Sequence, residues 1–177
     1  MEIRKASAQE AFEVSALAAE TFPLACPPGM PEEDIRAYIA EHLTNDNFAG
    51  YIAAEDADVA VAVDGDEYLG YTLVFLGDKA VPDSSFGVDL SPGALISKCY
   101  VRPDQHGKGV ALQLLDAARA DALARGYEGV WLNANNQNFR AQRFYEKHGF
   151  EHTGFVHFVA GGSTFRDPVY QWRPAAE

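Results

Sequence analysis

The stretch from Leu95 to Leu115, LISKCYVRPDQHGKGVALQLL, limits the fold more than any other part of this chain. Leu95 to Val101 reads as a strand, and Pro103 stops it because proline has no N–H to donate to a ladder. From Gly109 the apolar residues return at helical spacing through Ala111, Leu114, Leu115, Ala118 and Leu123, and Gly126 ends the run. A strand therefore passes into a helix through Gly107-Lys108-Gly109. Glycines there let a ligand approach the backbone with no Cβ in the way, and the free N–H groups of a helix start receive phosphate oxygens. Gly107, Lys108, Gly109, Val110 and Ala111 read either as a pyrophosphate cradle or as an ordinary glycine-containing turn, with Arg102 and Lys108 favouring the cradle. The segment is neither a GxxxxGK[ST] P-loop nor a GxGxxG dinucleotide fingerprint.

Elements of both kinds surround it. Glu2 to Arg4 reads as a short edge strand, and Ser7 with Glu10 forms a capping box before a helix that turns Val14, Leu17, Ala18 and Thr21 inward. Pro23 to Pro31 is too proline-rich for helix or strand. Pro31 then opens a second helix at its first position, followed by Glu32, Glu33 and Asp34, with Ile35, Tyr38, Ile39 and Leu43 as its apolar face. Val59, Val61 and Val63 alternate towards an Asp64-Gly65 turn, and Tyr68 to Leu76 alternates back. Residues 77–93, rich in Asp, Ser, Pro and Gly, read as a long loop beside a ligand site. Val130 and Leu132 mark a strand ending in the Asn-rich residues 133–138, followed by a helix from Phe139 to His148 that Gly149 closes. Phe150 to Phe158 and Pro168 to Trp172 read as the last strands, joined across Gly161-Gly162. The order helix, helix, hairpin, strand, helix, strand, helix, hairpin describes an α+β chain; with no repeat and no linker, residues 1–177 read as one domain.

Charge narrows the function. Residues 1–94 hold 18 acidic and 4 basic side chains, whereas residues 95–177 hold 8 acidic and 10 basic. An acidic chain of net charge −12 does not suit a nucleic-acid backbone, which is bound through Lys and Arg. The acidic half suits a cationic partner, or simply keeps the protein soluble. Two distant cysteines, Cys26 and Cys99, fit a reducing compartment, and MEIRKAS is not the start of a signal peptide. No apolar run approaches the roughly 20 residues that span a bilayer, so a cytoplasmic protein with no membrane partner is expected.

Two blocks, at the right separation, resemble the GNAT superfamily of N-acetyltransferases. The first is the family's [QR]xxGx[GA], matched by His106, Gly109 and Ala111, with His106 where Gln or Arg is usual. The second is N-x-x-A-x-x-[FL]-Y-E-K-x-G-F, matched by Asn138, Ala141, Phe144, Tyr145, Glu146, Lys147, Gly149 and Phe150. The likeness covers most of the chain and is strongest from Leu95 to Phe150. It implies a mixed central sheet flanked by helices, with a splayed fourth strand, and acetyl-coenzyme A as cofactor with coenzyme A as product. The cradle amides would hold the pyrophosphate, and Asn138 the pantetheine arm or the adenine-side phosphates. The backbone around Cys99 to Val101 would polarise the acetyl carbonyl, and Tyr145 would protonate the departing thiolate. Many relatives carry a basic Glu on the fourth strand; here Leu95, Ile96 and Ser97 supply no carboxylate. A water chain or a group of the acidic half, such as His42 or Glu41, is left to take the acceptor's proton. The segment Ser7 to Leu43 resembles the family's acceptor lid, especially in polyamine and ribosomal-protein acetyltransferases.

The remaining reactive side chains suggest no other chemistry. Cys99 reads as a buried small hydrophobe rather than a nucleophile. His148, His152 and His157 lack metal-ligand spacing, and there is no GxSxG elbow. The leading expectation is acetyl transfer to a primary amine of a small metabolite, a polyamine or a protein. A noncatalytic acyl-coenzyme A sensor and an aminoglycoside-type N-acetyltransferase are the alternatives. Phe155, Phe158, Phe165, Tyr170 and Trp172 serve either the core or a homodimer surface.

Overall fold

The computed structural model describes the backbone of residues 1–160 and 163–175, and the side chains of all these except 158–160 and 163. Strand β1 (Glu2–Lys5) leads through a 3₁₀ turn (Ala8–Glu10) into helices α1 (Ala11–Thr21), α2 (Glu32–His42) and α3 (Asn45–Ala53). Next in the chain are β2 (Ala57–Asp64), β3 (Glu67–Phe75), β4 (Gly93–Val101), α4 (Val110–Ala124), β5 (Gly129–Asn133), α5 (Phe139–Lys147), β6 (Glu151–Ala160) and β7 (Ser163–Trp172). The strands form one mixed sheet in the order β1-β2-β3-β4-β5-β7-β6, in which only β4 and β5 are parallel neighbours. Alternation along β2 sends Val59, Val61 and Val63 against α1 and α3, while Ala62 packs on the other face with Val110 and Leu114 of α4. The helices therefore flank both faces, as the α+β reading requires.

Helix α3 is the main departure from the expected order. Leu43 reads as the last apolar position of one helix, yet it caps the end of α2 and lies buried, only 2% exposed, beside Phe48 of α3. The break is local: Thr44 accepts the Asn47 N–H at 3.1 Å, and the Asn47 side chain accepts the Thr44 N–H at 2.9 Å, so a reciprocal cap starts a new helix. Pro31 stands just before α2 rather than inside it. Strand β7 begins at Ser163, so Pro168 and Asp167 lie within it; the expected Gly161-Gly162 turn lies outside the described residues. Residues 77–93 pack on β5 and β6: Trp131 Nε1 donates to the Ala80 carbonyl at 2.8 Å, and Thr153 Oγ1 donates to the Phe86 carbonyl at 2.9 Å.

Two features of the fold open and brace a gap in the sheet. Strand β4 pairs with β5 only over Gly93, Ala94 and Leu95, after which the two part, and against β3 the register skips Ser97. This is the splayed and bulged fourth strand. At the far side, Arg119 of α4 stacks between Phe150 and Trp172 with its guanidinium carbon 4.7 and 4.5 Å from the ring centres, and donates to the His148 carbonyl at 2.6 Å. That carbonyl closes the C-terminal end of α5, where a cation meets the negative end of the helix dipole. Arg119 thus fixes α5 relative to α4.

The N-terminal end is fastened by Glu10, which receives Arg4 at 2.7 and 2.8 Å, the Tyr68 hydroxyl at 2.5 Å and the Ser7 N–H at 2.7 Å. Arg4 holds the Glu10 carboxyl well below the usual carboxylate range, while burial and Glu10 together push the Tyr68 phenol up to about 12. Replacing a charged acceptor of several bonds by alanine is expected to lower the unfolding free energy by about 1–2 kcal/mol at pH 7, measurable for Glu10→Ala by urea titration. Because Glu10 titrates lower when folded, its contribution is complete above the ordinary value of 4.5 and is lost as the pH falls towards the folded value. The gap between wild type and Glu10→Ala should therefore narrow in acid.

Candidate active site

Where β4 and β5 part, the sheet contains a trench lined by three cavities. The first, about 390 Å³, is lined by Gln105, His106, Gly107, Gly109, Val110 and Ala111 on one side and by Arg140, Phe144 and Lys147 of α5 on the other. It shares Val101, His106, Ala111, Arg140 and Phe144 with a second cavity of about 160 Å³. This in turn shares Ala25, Cys99, Tyr100, Ala141 and Tyr145 with a third of about 320 Å³. The three are therefore successive parts of one passage. Leu24 and Ala25, and Phe22 with Tyr38 of α2 stacked at 4.4 Å, cover it from the N-terminal side.

The end at the glycine turn is built by backbone. Gly107 and Gly109 have φ of +80° and +82°, which disfavours any side chain, and a Cβ at either would meet nothing within 4 Å. The space above the turn is open. Gln113 donates to the Gly109 carbonyl at 3.1 Å as α4 begins, so the N–H groups of Gly109, Val110, Ala111 and Leu112 have no backbone acceptor among the described residues. Lys108 stands exposed on this turn and lines none of the three cavities. Arg102 does not line them either: it lies within 4 Å of Glu20, Glu67 and Asp104, which neutralise it.

A cation that does reach the trench beside the glycine turn, together with Lys147, is Arg140, which sequence reasoning missed. Its Nη1 lies 2.8 Å from His106 Nδ1, and His106 Nε2 lies 3.1 Å from the Val101 carbonyl. A carbonyl only accepts and a guanidinium only donates, so His106 carries its proton on Nε2 and offers a lone pair to Arg140. His106 thereby orients an arginine. The available signal was a basic residue in the first turn of α5, where the helix dipole disfavours it.

Asn138 caps α5 by accepting the Ala141 N–H at 3.1 Å, and its side chain also lines the middle cavity. Tyr145, one helical face further on, lines the middle and third cavities and packs on Phe144, Phe150 and Tyr170. Burial pushes its phenol well above the ordinary value, so it carries its proton at neutral pH. Cys99 lies across the same junction, and burial pushes its thiol up to about 12. It is a poor nucleophile there.

The third cavity holds the unexpected groups. Lys98 of β4 lines it with its amine 3.5 Å from the Tyr38 hydroxyl and 5.7 Å from that ring's centre. Asp167 of β7, 7% exposed, lines it too, and accepts the Asn136 N–H at 3.0 Å. Burial outweighs that bond and raises the Asp167 pKa above the ordinary carboxylate value. Asp167 is the only carboxylate among the lining residues of all three cavities. It escaped sequence reasoning because, with the last strand begun at Pro168, it reads as a loop residue. Neither His42 nor Glu41 lines the trench.

Of the C-terminal aromatic residues, Tyr170 is buried in the core, while Phe155 and Trp172 are half-buried against Arg166 and Arg119 respectively; the Phe158 side chain lies outside the described residues. Among the described residues no cluster of His, Cys, Asp and Glu is arranged to hold a metal, and no helix is long and apolar enough to cross a membrane.

Comparison with known proteins agrees with this geometry. An uncharacterized N-acetyltransferase of Mycobacterium tuberculosis is 34% identical over 160 residues, spanning 90% of this chain and 95% of that one. The PaiA N-acetyltransferase of Thermoplasma acidophilum, solved in complex with coenzyme A, superposes with a TM-score of 0.78 at 19% identity over 98% of both chains. The putative acetyltransferase yncA of Salmonella typhimurium, solved with acetyl-CoA, superposes with a TM-score of 0.71 at 19% identity, over 100% of this chain and 97% of that one. The model of the GNAT acetyltransferase family matches residues 14–150, and with that match, the parted β4 and β5 and the glycine turn before α4, the chain belongs to the GNAT family of acetyltransferases.

Proposed function

We propose that this protein transfers an acetyl group from acetyl-coenzyme A to a primary amine of a small metabolite. The observation that carries this reading is the passage itself: an amide-lined, cation-flanked end, a narrow middle with Tyr145 at its exit, and a separate pocket beyond. The cradle residues fit a pyrophosphate, because the open space over Gly107 and Gly109 admits it to N–H groups that lack other acceptors. Arg140 and Lys147 flank that end with positive charge. The apolar walls of the middle cavity, including Val101, Ala111, Ala141 and Phe144, suit an uncharged arm. Relatives solved with coenzyme A and acetyl-CoA support the same choice of donor.

Acetyl-coenzyme A supplies an activated thioester, whose C–S bond breaks as the N–C bond to the amine forms. Backbone N–H groups of β4 beyond Leu95, unpaired on the β5 side, polarise the acetyl carbonyl. Asp167 accepts the first proton from the incoming ammonium, since a buried carboxylate with a raised pKa is the stronger base. Tyr145 donates its proton to the departing sulfur. The second proton on nitrogen returns through solvent to Tyr145, so one proton is released overall.

Tyr145→Phe should lower kcat by about 100-fold while coenzyme A affinity, read by calorimetry, stays within about twofold; full retention of kcat would remove Tyr145 from the reaction. In wild type, kcat/KM should rise with pH as Asp167 loses its proton, at a pH above the ordinary carboxylate range. Asp167→Asn should abolish that limb, as measured by thiol release across a pH series. A limb that survives the substitution assigns the base elsewhere.

A further inference from the structure

Among the described residues, four basic residues of this acidic protein are at least partly withdrawn from solvent: Arg4, Lys98, Arg102 and Arg119. Three have carboxylate partners, namely Glu10 for Arg4, Asp116 for Arg119, and Glu20, Glu67 and Asp104 for Arg102. Lys98 has none among the described residues; its neighbours are the hydroxyl and ring of Tyr38. A half-buried ammonium without a counter-charge is unfavourable, and burial accordingly pulls its pKa below the ordinary lysine value. The chain has 26 acidic residues with which to pair it and does not. What faces Lys98 instead is the third cavity, whose size of about 320 Å³ falls at the lower end of the roughly 300–1,000 Å³ of small-molecule pockets.

The same cavity contains Asp167, carried on β7, with β5 lying between β7 and β4 in the sheet. At about 4.8 Å per strand, β4 and β7 lie about 10 Å apart before the splay adds to it. A cation and an anion separated in this way, with Asn133, Asn135 and Ser97 as further polar lining, complement a ligand that carries both charges.

We propose that the acceptor is a free amino acid or a closely similar amino-carboxylate, whose carboxylate pairs with Lys98 and whose ammonium lies towards Asp167 and Tyr145. This rests on the acetyl-transfer reading above and names its substrate class. Lys98 is a specificity-determining residue: its ion pair is made equally before and during acetyl transfer, so its loss raises KM and leaves kcat nearly unchanged. A polyamine, which has no anionic group, gains nothing from Lys98 and is repelled by it.

The test compares each free L-amino acid with its own carboxamide, a pair that differs in the anionic group alone, by following thiol release from acetyl-coenzyme A. Wild type is expected to favour at least one acid over its amide by about 10- to 100-fold in kcat/KM. Lys98→Met should remove that preference through KM, and Lys98→Glu should turn it towards diamines. Equal use of acid and amide by wild type, or a preference that survives Lys98→Met, overturns the proposal. If no amine is acetylated, the acetyl-transfer reading fails, and calorimetry of the same pairs with the coenzyme A-loaded protein decides the pocket's preference separately. Binding of an acid over its amide, lost in Lys98→Met, supports the proposal; the absence of such binding overturns it.

Discussion

A backbone that leaves its sheet partner must find other company for its N–H and C=O groups. Strands β4 and β5 are parallel for three residue pairs and then separate, so one edge of β4 from Ile96 to Val101 faces a gap instead of a strand. Everything about the site depends on that gap. Helix α5 and the N-terminal segment around Phe22 and Ala25 do not fill it; they wall it. The glycine turn before α4 stands at its other end, with a second set of unpaired N–H groups. A polar backbone exposed inside an apolar passage is a poor arrangement for an empty protein and a good one for holding an acyl donor in extended form.

The distribution of charge supports the same division of labour at finer scale than the sequence allows. The two halves of the chain differ strongly in charge, but surface acids of the first half do not line the trench, which has a single carboxylate, Asp167, from the second half. Arg102, which comes after the strand and precedes the glycine turn, is held by Glu20, Glu67 and Asp104 and lines none of the three cavities. Arg140, held by His106, lines the cavity beside the glycine turn instead. The departure of His106 from the family's usual Gln or Arg thus coincides with a neighbouring arginine on α5.

Local signals carried most of the fold. The Asp64-Gly65 turn, the change of period at Gly109 and the Asn138-to-Phe150 block each act within a few residues, and each produced the element expected of it. The glycine turn before α4 and the place of Tyr145 on α5 were legible for the same reason. Helix α3 was missed because the Thr44–Asn47 cap uses Asn where Glu or Gln is the usual cue. Arg140, Asp167 and Lys98 were harder, because what makes them notable is not their spacing but what lies next to them. Burial without a counter-charge is a property of packing between β4, β7, α2 and α5, and no pattern along a single strand reports it.

The central claim is that one extended ligand runs from the glycine turn to the hydroxyl of Tyr145. The most direct measurement is a crystal structure of the protein with coenzyme A. The pyrophosphate should lie on the N–H groups between Gly107 and Ala111, and the sulfur should lie within hydrogen-bond reach of Tyr145, with the cavity around Lys98 and Asp167 left free. Coenzyme A bound outside the parting of β4 and β5, or with its sulfur turned away from Tyr145, would contradict that claim.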